Sequence, residues 1–236
     1  MTMIMIDKTE RLPKVSELVR EYYPEYYQWH TYRASECVAI HKIDEEWGVL
    51  HNMAATPLVI DGVDFKCCET LFQILKFKDT SVIQDVYRRN NKKWAQHWEK
   101  QGYRRQDWGT IFIDILKFCL QMKYEQSALF RQELERSRGF IIVEDETGRK
   151  STTYGAKLKD DVFEGSNILG RLLMELRDKG KLEYSLPLDA LLKSDAGDGT
   201  DGYERRRPRK LCKRCFPIYR RNRCTEDVEL DLCFAR

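Results

Sequence analysis

The chain has 236 residues, of which 42% are hydrophobic and 11% aromatic, and its formal net charge is +3. This length and composition suit one folded domain with an appendage and exclude a chain that is disordered throughout. No stretch approaches the roughly 18 uninterrupted apolar residues of a membrane helix, and the first residues do not resemble a signal peptide. We therefore expect no membrane contact, a cytoplasmic location and reduced thiols for the eight unevenly spaced cysteines.

The predicted elements begin with a helix over residues 13–29, interrupted or restarted at Pro24. A buried strand is predicted at 37–40. Two short apolar runs, 58–60 and 63–65, flank Asp61 and Gly62, and an Asp-Gly pair in that position is a strong hairpin signal.

A helix over residues 68–77 follows the hairpin. Its spacing places Glu69, Gln73 and Lys76 on one polar face, for which the simplest interpretation is a solvated surface. Further helices are predicted at 81–90, 91–100, 107–124 and 126–137, a strand at 140–143, and a last helix at 167–179 with Asn167 as its N-cap.

This pattern predicts an α+β fold, a mainly helical single domain with a small β-sheet. We divide the chain into a helical N-terminal extension (1–36), the domain (37–185), a linker (186–202) and a basic, cysteine-containing tail (203–236). Residues 203–224 alone carry a net charge of +9, which leaves −6 for the rest of the chain. Charge this local indicates an anionic partner.

The tail also contains Cys212, Cys215, Cys224 and Cys233. Zinc sites usually pair a second Cys-x-x-Cys or a nearby His with the first, and this spacing lacks such a partner. We therefore predict no metal site and no cofactor. Basic residues interleaved with aromatic ones are compatible with binding to nucleic acid, although many charged runs are simply solvated.

Three carboxylates in the body of the chain stand where chemistry could occur. Glu69 and Asp107 lie at helix starts, and Glu144 ends an apolar strand. A carboxylate at a helix start also favours the helix dipole, so each position alone has a structural explanation.

Four segments together resemble the NADAR/YbiA-like family. Residues 47–53 (WGVLHNM) are similar to its opening motif, an aromatic residue followed by Gly and then Leu-Ser-Asn-Phe. Residues 67–77 are similar to its Ser-x-Glu-His-x-Tyr-Gln helix ending in Lys-Phe. Residues 104–108 match Arg-x-Asp-Trp, and residues 165–177 match Gly-x-Asn-x-Leu-Gly-x-x-Leu-Met-x-x-Arg. Order and spacing agree from about residue 38 to 180.

The resemblance implies a cleft for ribose-phosphate or ADP-ribose-type ligands and cleavage of an N-glycosidic bond. One branch of the family acts on phosphorylated riboflavin-pathway intermediates. Another removes ADP-ribose from modified guanine in nucleic acid and serves as antitoxin to an ADP-ribosyltransferase, so such a toxin and modified nucleic acid are expected partners. A non-catalytic ADP-ribose sensor and a nucleic-acid-binding protein acting through its tail are the alternatives.

The same resemblance assigns residues. It implies that Glu69 stabilises an oxocarbenium-like state or activates water, and that Lys76 holds a phosphate or forms a Schiff base with the opened sugar. It implies stacking of Trp108 on a heterocycle and orientation or ribose binding by Asp107. The remaining ligand-binding residues implied by the resemblance are Asn52, Gln73, Tyr154, Gly165, Asn167 and Gly170, with the helix after Gly165 directing N–H groups at a phosphate.

The chain departs from the family pattern in residues 144–155 (EDETGRKSTTYG), where the family has Glu-x-Ser-x-x-Asp-x-x-Trp-Gly. Tyr154 replaces the Trp, and the Asp position falls on Ser151. Thr70 replaces the His of the Glu-His pair. These changes preserve a ring but remove a carboxylate, which leaves the non-catalytic alternative open.

Overall fold

The computed structural model describes residues 13–60, 62–149, 154–187 and 189. The predicted tail and most of the predicted linker lie outside the described residues, as does Ser151. The described elements are, in chain order, α1 (Val15–Tyr22), α2 (Pro24–Tyr27), β1 (His30–Arg33), β2 (Cys37–Ile40), β3 (Leu58–Ile60), β4 (Val63–Phe65), α3 (Cys68–Ile74), α4 (Thr80–Arg89), α5 (Lys92–Lys100), α6 (Trp108–Gln126), α7 (Ala128–Arg136), β5 (Ile141–Glu144), β6 (Lys157–Lys159), β7 (Val162–Gly165) and α8 (Ile168–Lys179). These elements confirm the predicted mainly helical α+β fold.

Helix α6 forms the centre of the domain. Its apolar residues occur on nearly all sides, and a helix with that pattern becomes buried rather than lying at the surface. Helices α1, α3, α7 and α8 all pack against it. No helix among the described residues is long and apolar enough to cross a bilayer.

The N-terminal segment contributes to both the core and a sheet. As predicted, Pro24 starts a new helical turn, because its fixed φ suits the first position of a helix. Residues 30–33 then form strand β1, which the sequence analysis did not predict. It pairs antiparallel with β7, and His30 lies opposite Gly165. Leu18 and Val19 are buried in the main core.

Strands β2 and β5 form a parallel pair, with Ile40 opposite Glu144. Both strands were predicted, β5 one residue too early. Because the strands run in the same direction, their carboxyl ends lie at one edge, and Asp145 N donates to Ile40 O at 2.9 Å. Glu144 is thereby placed at the point where the chain leaves the sheet.

Two glycines predicted to bind ligand lie where the chain packs closely against itself. A Cβ at Gly170 would lie 2.1 Å from Ile142 O, and one at Gly165 would lie 2.5 Å from Gly155 O. Both positions need glycine because another part of the backbone passes within contact distance.

The predicted hairpin is present, with β3 paired antiparallel to β4 and Gly62 at a φ of +79°. Asp61 is outside the described residues. The hairpin leads into α3, which ends at Ile74, three residues earlier than predicted. The next helix, α4, begins after Asp79, whose side chain caps it by accepting hydrogen bonds from Ser81 N and Val82 N. Since Asp79 has an extended backbone, α3 has to end before it.

This early end places Lys76 in a turn rather than on α3. Phe77 pairs with Arg104 in an isolated β-bridge, and Arg105 N donates to Lys76 O at 2.9 Å. The backbone of Lys76 is therefore held by the segment that precedes α6.

Candidate functional site

A cavity of about 370 Å³ lies between α3, α5, the start of α6 and the segment that follows β5. Its size falls within the range of small-molecule sites. The charged and polar residues that line it are His51, Asn52, Glu69, Gln73, Lys76, Lys92, Gln96, Glu99, Arg104, Glu144, Glu146, Arg149 and Tyr154. We call it the first cavity.

The first cavity unites six of the ten site residues predicted from sequence. They are Asn52, Glu69, Gln73, Lys76, Trp108 and Tyr154. The polar face of α3 is thus directed at a cavity, and Gln73 is only 3% exposed, so the solvated-surface interpretation is wrong.

Glu69 is held from several sides in the first turn of α3. Its side chain is 12% exposed, accepts a 2.7 Å hydrogen bond from Gln73 Nε2 and lies 3.3 Å from Lys92 Nζ. Its backbone N–H donates to Asn52 O, which ties the loop of Asn52 to the helix start. Asn52 Oδ1 and Gln73 Oε1 are buried without a hydrogen-bond partner among the described residues, so both are acceptors available to a ligand.

Lys76 is buried beside an acidic partner. Its Nζ lies 3.2 Å from Glu99 Oε2 and 5.6 Å from the ring centroid of Trp108. Burial lowers the pKa of Lys76, and the neighbouring Glu99 carboxylate opposes that shift.

Trp108 is 2% exposed and packs edge-on against Phe72, with ring centroids 5.4 Å apart. An indole with so little exposed surface has no free face for a ligand ring. The predicted stacking role therefore does not fit this position, and the indole instead forms part of the wall beside Lys76.

Asp107 is not among the residues that line the first cavity. Its carboxylate accepts hydrogen bonds from Arg105 Nε at 2.7 Å and Nη2 at 2.8 Å, and lies 3.8 Å from Lys78 Nζ. The Arg105 guanidinium holds the pKa of Asp107 below its usual range. Since Arg105 also binds Asp189, this part of the Arg-x-Asp-Trp motif fastens the chain after α8 to the start of α6.

Asn167 is completely buried and also does not line the first cavity. It occupies the N-cap position of α8, as predicted, but its side chain accepts no hydrogen bond from the N–H groups of the first turn of α8. Its Oδ1 accepts from Glu144 N at 3.1 Å and its Nδ2 donates to Ile142 O at 2.8 Å. In the first turn of α8, Leu169 N donates to Tyr154 O at 2.8 Å, so this N–H positions Tyr154 rather than a phosphate.

We expect Asn167→Ala to lower the free energy of unfolding by about 2–4 kcal/mol, because two buried backbone groups of β5 lose their partner. The φ of +46° also disfavours Ala. Urea denaturation measures the change. Asn91→Ala is the matched control, since it removes a single cap to Lys93 N and should cost about 1 kcal/mol. Equal losses in the two variants would contradict a bridging role for Asn167.

Glu144, which the sequence singled out without giving it a role, lines the first cavity, together with two carboxyl groups that the prediction did not name, Glu99 and Glu146. Burial, followed by the nearby Glu146 carboxylate, raises the pKa of Glu144 to about 8. Arg149 Nη1, 3.8 Å away, opposes that shift. Glu144 Oε2 is buried with no hydrogen-bond partner among the described residues. Two features of the sequence pointed to these groups. Glu144 is a carboxylate at the end of an apolar strand, and Glu146 occupies the position where the family pattern has Ser.

Two further residues of the lining remain neutral near pH 7. Burial raises the pKa of Tyr154, so its phenol stays protonated. Burial lowers the pKa of His51 to about 4, and its Nδ1 accepts from Met53 N at 3.0 Å, which leaves the proton on Nε2. The sequence analysis did not predict that His51 lines the site, because His51 stands where the family motif Leu-Ser-Asn-Phe has Ser.

Comparisons with known proteins give a family model, relatives and a solved structure similar to this chain. The family model of the NADAR domain matches residues 25–180. The N-glycosidase YbiA of Escherichia coli (strain K12) is 26% identical over 148 residues, covering 62% of this chain and 89% of that protein. A riboflavin biosynthesis protein of Vibrio vulnificus is 25% identical over 140 residues, which are 58% of this chain and 36% of that protein. The NMR structure of E. coli YbiA superposes with a TM-score of 0.51 at 26% identity, covering 61% of this chain and 83% of that one.

Proposed function

Because the chain belongs to the NADAR domain family and is similar to N-glycosidases, we propose that it hydrolyses the N-glycosidic bond of a ribosyl phosphate. The finer proposal is an ADP-ribosyl substrate, including ADP-ribose attached to guanine in nucleic acid. The basic stretch 203–224 would contact the nucleic-acid phosphates, and an ADP-ribosyltransferase toxin would be the partner.

The observation that carries this proposal is a pair of carboxyl groups with different surroundings in one cavity. Glu144 has its pKa raised to about 8 and is therefore protonated at neutral pH. Glu69 accepts a hydrogen bond from the Gln73 amide and lies 3.3 Å from the Lys92 ammonium group. Two carboxyl groups whose environments differ in this way can divide the roles of acid and base.

The reaction proceeds by departure of the heterocycle and addition of water. The bond between C1 of the ribose and the nitrogen breaks, the electron pair leaves with the nitrogen, and that nitrogen takes the proton of Glu144. Glu69 stabilises the positive charge on the sugar and then accepts a proton from the water that adds to C1. Exchange with solvent restores both carboxyl groups.

The cations of the first cavity suit the phosphate of the substrate. Lys76 and Arg104 are both largely buried and both lie beside Glu99, at 3.2 and 3.9 Å. Asn52 Oδ1, Gln73 Oε1 and the phenol of Tyr154 supply neutral groups for the ribose hydroxyls. We assign phosphate binding to Lys76 because its Nζ lies 3.2 Å from Glu99 in the same group of charges as Arg104. Burial lowers the pKa of Lys76, which also suits the alternative role, Schiff-base formation with the opened sugar.

A product assay on the full chain tests the proposal. ADP-ribosylated DNA, ADP-ribosylated protein and phosphorylated ribosylamine intermediates of riboflavin synthesis are incubated with the wild type, and free sugar phosphate is measured. Release from at least one of these substrates is expected. Binding of ADP-ribose without release from any of them would refute the hydrolase and favour the non-catalytic sensor.

A further inference from the structure

A second cavity of about 360 Å³ adjoins the first. It is lined by Met53, Ala55, Pro57, Lys66, Cys67, Glu69, Thr70, Gln73, Val86, Asn90, Asn91 and Lys92. Met53, Glu69, Gln73 and Lys92 line both cavities, so the pair Glu69–Lys92, with a 3.3 Å contact, stands at their junction.

The two cavities differ in chemistry. The first contains the carboxyl groups of Glu99, Glu144 and Glu146 and the cations Arg104 and Arg149, which suit a polyhydroxylated, phosphorylated sugar. Glu69 is the single carboxylate that lines the second cavity, whose carbon walls come from Met53, Ala55, Pro57 and Val86. Its other polar groups are the Thr70 hydroxyl, the Cys67 thiol, the amides of Gln73, Asn90 and Asn91, and the ammonium groups of Lys66 and Lys92. Apolar walls with a few polar groups are typical of small-molecule sites, and they suit the apolar faces of a flat heterocycle.

The first cavity does not offer the leaving heterocycle the stacking partner that the sequence predicted. Trp108, the expected stacking partner, is 2% exposed and packed against Phe72. An N-glycoside extends on both sides of its anomeric carbon, with sugar on one side and heterocycle on the other. A catalytic carboxylate must therefore lie at a junction between two subsites, and Glu69 has that position.

Building on the proposed function, we propose that the second cavity is the subsite for the leaving heterocycle, a flat group of nucleobase size. The sugar phosphate occupies the first cavity, and the bond to be broken lies over Glu69. This arrangement defines the substrate class as ribosyl phosphates that carry a two-ring or similarly broad heterocycle. The residues that select the heterocycle then lie in the second cavity, apart from the residues of the first cavity that act on the bond.

Calorimetry with two probes tests the subsite without requiring turnover. The proposed subsite places guanosine 5′-monophosphate across both cavities and ribose 5-phosphate in the first cavity alone. The exposed Ala55 is changed to Trp, which narrows the second cavity, and Ala128→Trp is the matched control on the exposed first residue of α7. Lys66→Trp repeats the test from a different position of the lining.

We expect Ala55→Trp and Lys66→Trp each to weaken binding of guanosine 5′-monophosphate at least tenfold and to change that of ribose 5-phosphate less than twofold. Ala128→Trp should change neither. Equal weakening of both probes, no weakening of either, or a wild type that does not bind the nucleotide more tightly than the sugar phosphate would overturn the subsite. Failure of the hydrolase proposal is recognised separately, by absence of product from every substrate.

Discussion

Replacing Glu69 by Gln is expected to lower kcat/KM about 10³-fold, since Gln keeps the shape but removes the charge that stabilises the oxocarbenium-like state and accepts the proton of water. The loss should appear mainly in kcat, because the charge matters most in the transition state. Product release is measured under single-turnover conditions with the substrate that the wild type cleaves.

The matched control for this variant is Glu175→Gln on α8. Glu175 contacts Lys179 at 2.9 Å and is not among the residues that line either cavity. It should retain wild-type turnover. Activity of Glu69→Gln within a few fold of wild type would show that this carboxylate does not act on the anomeric carbon, provided that both variants unfold at the same urea concentration.

Replacing Glu144 by Gln is expected to lower kcat by about 10²- to 10⁴-fold, the usual contribution of a proton donor. Because the pKa of Glu144 is about 8, wild-type activity should be constant near neutral pH and fall as the pH rises through 8. Glu146→Gln removes a neighbouring negative charge that raises this pKa, so the fall should move to lower pH. Profiles of kcat/KM against pH distinguish the three proteins.

The same carboxyl group makes stability depend on pH in a defined direction. Its pKa is higher in the folded chain, about 8, than its ordinary value of 4.5, so the folded state binds the proton more tightly. The stabilisation is complete below pH 4.5 and is lost as the pH rises through 8, on the order of 5 kcal/mol in total.

The side chain of the Glu144→Gln variant remains neutral over this range. The free energy of unfolding of the variant should therefore fall less between pH 5 and 9 than that of the wild type, which urea denaturation at pH 5, 7 and 9 would detect. The residues that modulate the effect are Glu69, Lys92, Glu146 and Arg149. Parallel stability curves for wild type and variant would mean that Glu144 is not buried as an acid, and its role as proton donor would then be withdrawn.

Local sequence was enough for much of the fold. The spacing of apolar residues predicted α4 to α7 to within two residues at each end, and the Asp-Gly pair predicted the β3–β4 hairpin. These features depend on periodicity and turn chemistry, which a short window of sequence contains. Strand β1 escaped prediction because its partner, β7, lies more than 100 residues further along the chain.

The motifs identified the family and directed attention to Glu69, Gln73 and Lys76, but they did not say which motif residues face the ligand. Asp107, Asn167, Gly165 and Gly170 belong to other motifs of the family, do not line either cavity, and make close contacts within the chain. A motif contains residues that maintain the fold as well as residues that act on a substrate, and both kinds have the same spacing.

The sequence by itself determined the fold class, the family motifs and the helix that carries Glu69, since these follow from local pattern and residue order. Only the tertiary structure decided which acidic groups share a cavity with it. Glu144 arrives there through the parallel pairing of β5 with β2, and Glu99 through the packing of α5 on α3. Burial then sets their protonation, and burial is a property of the packed chain that no segment of sequence has alone.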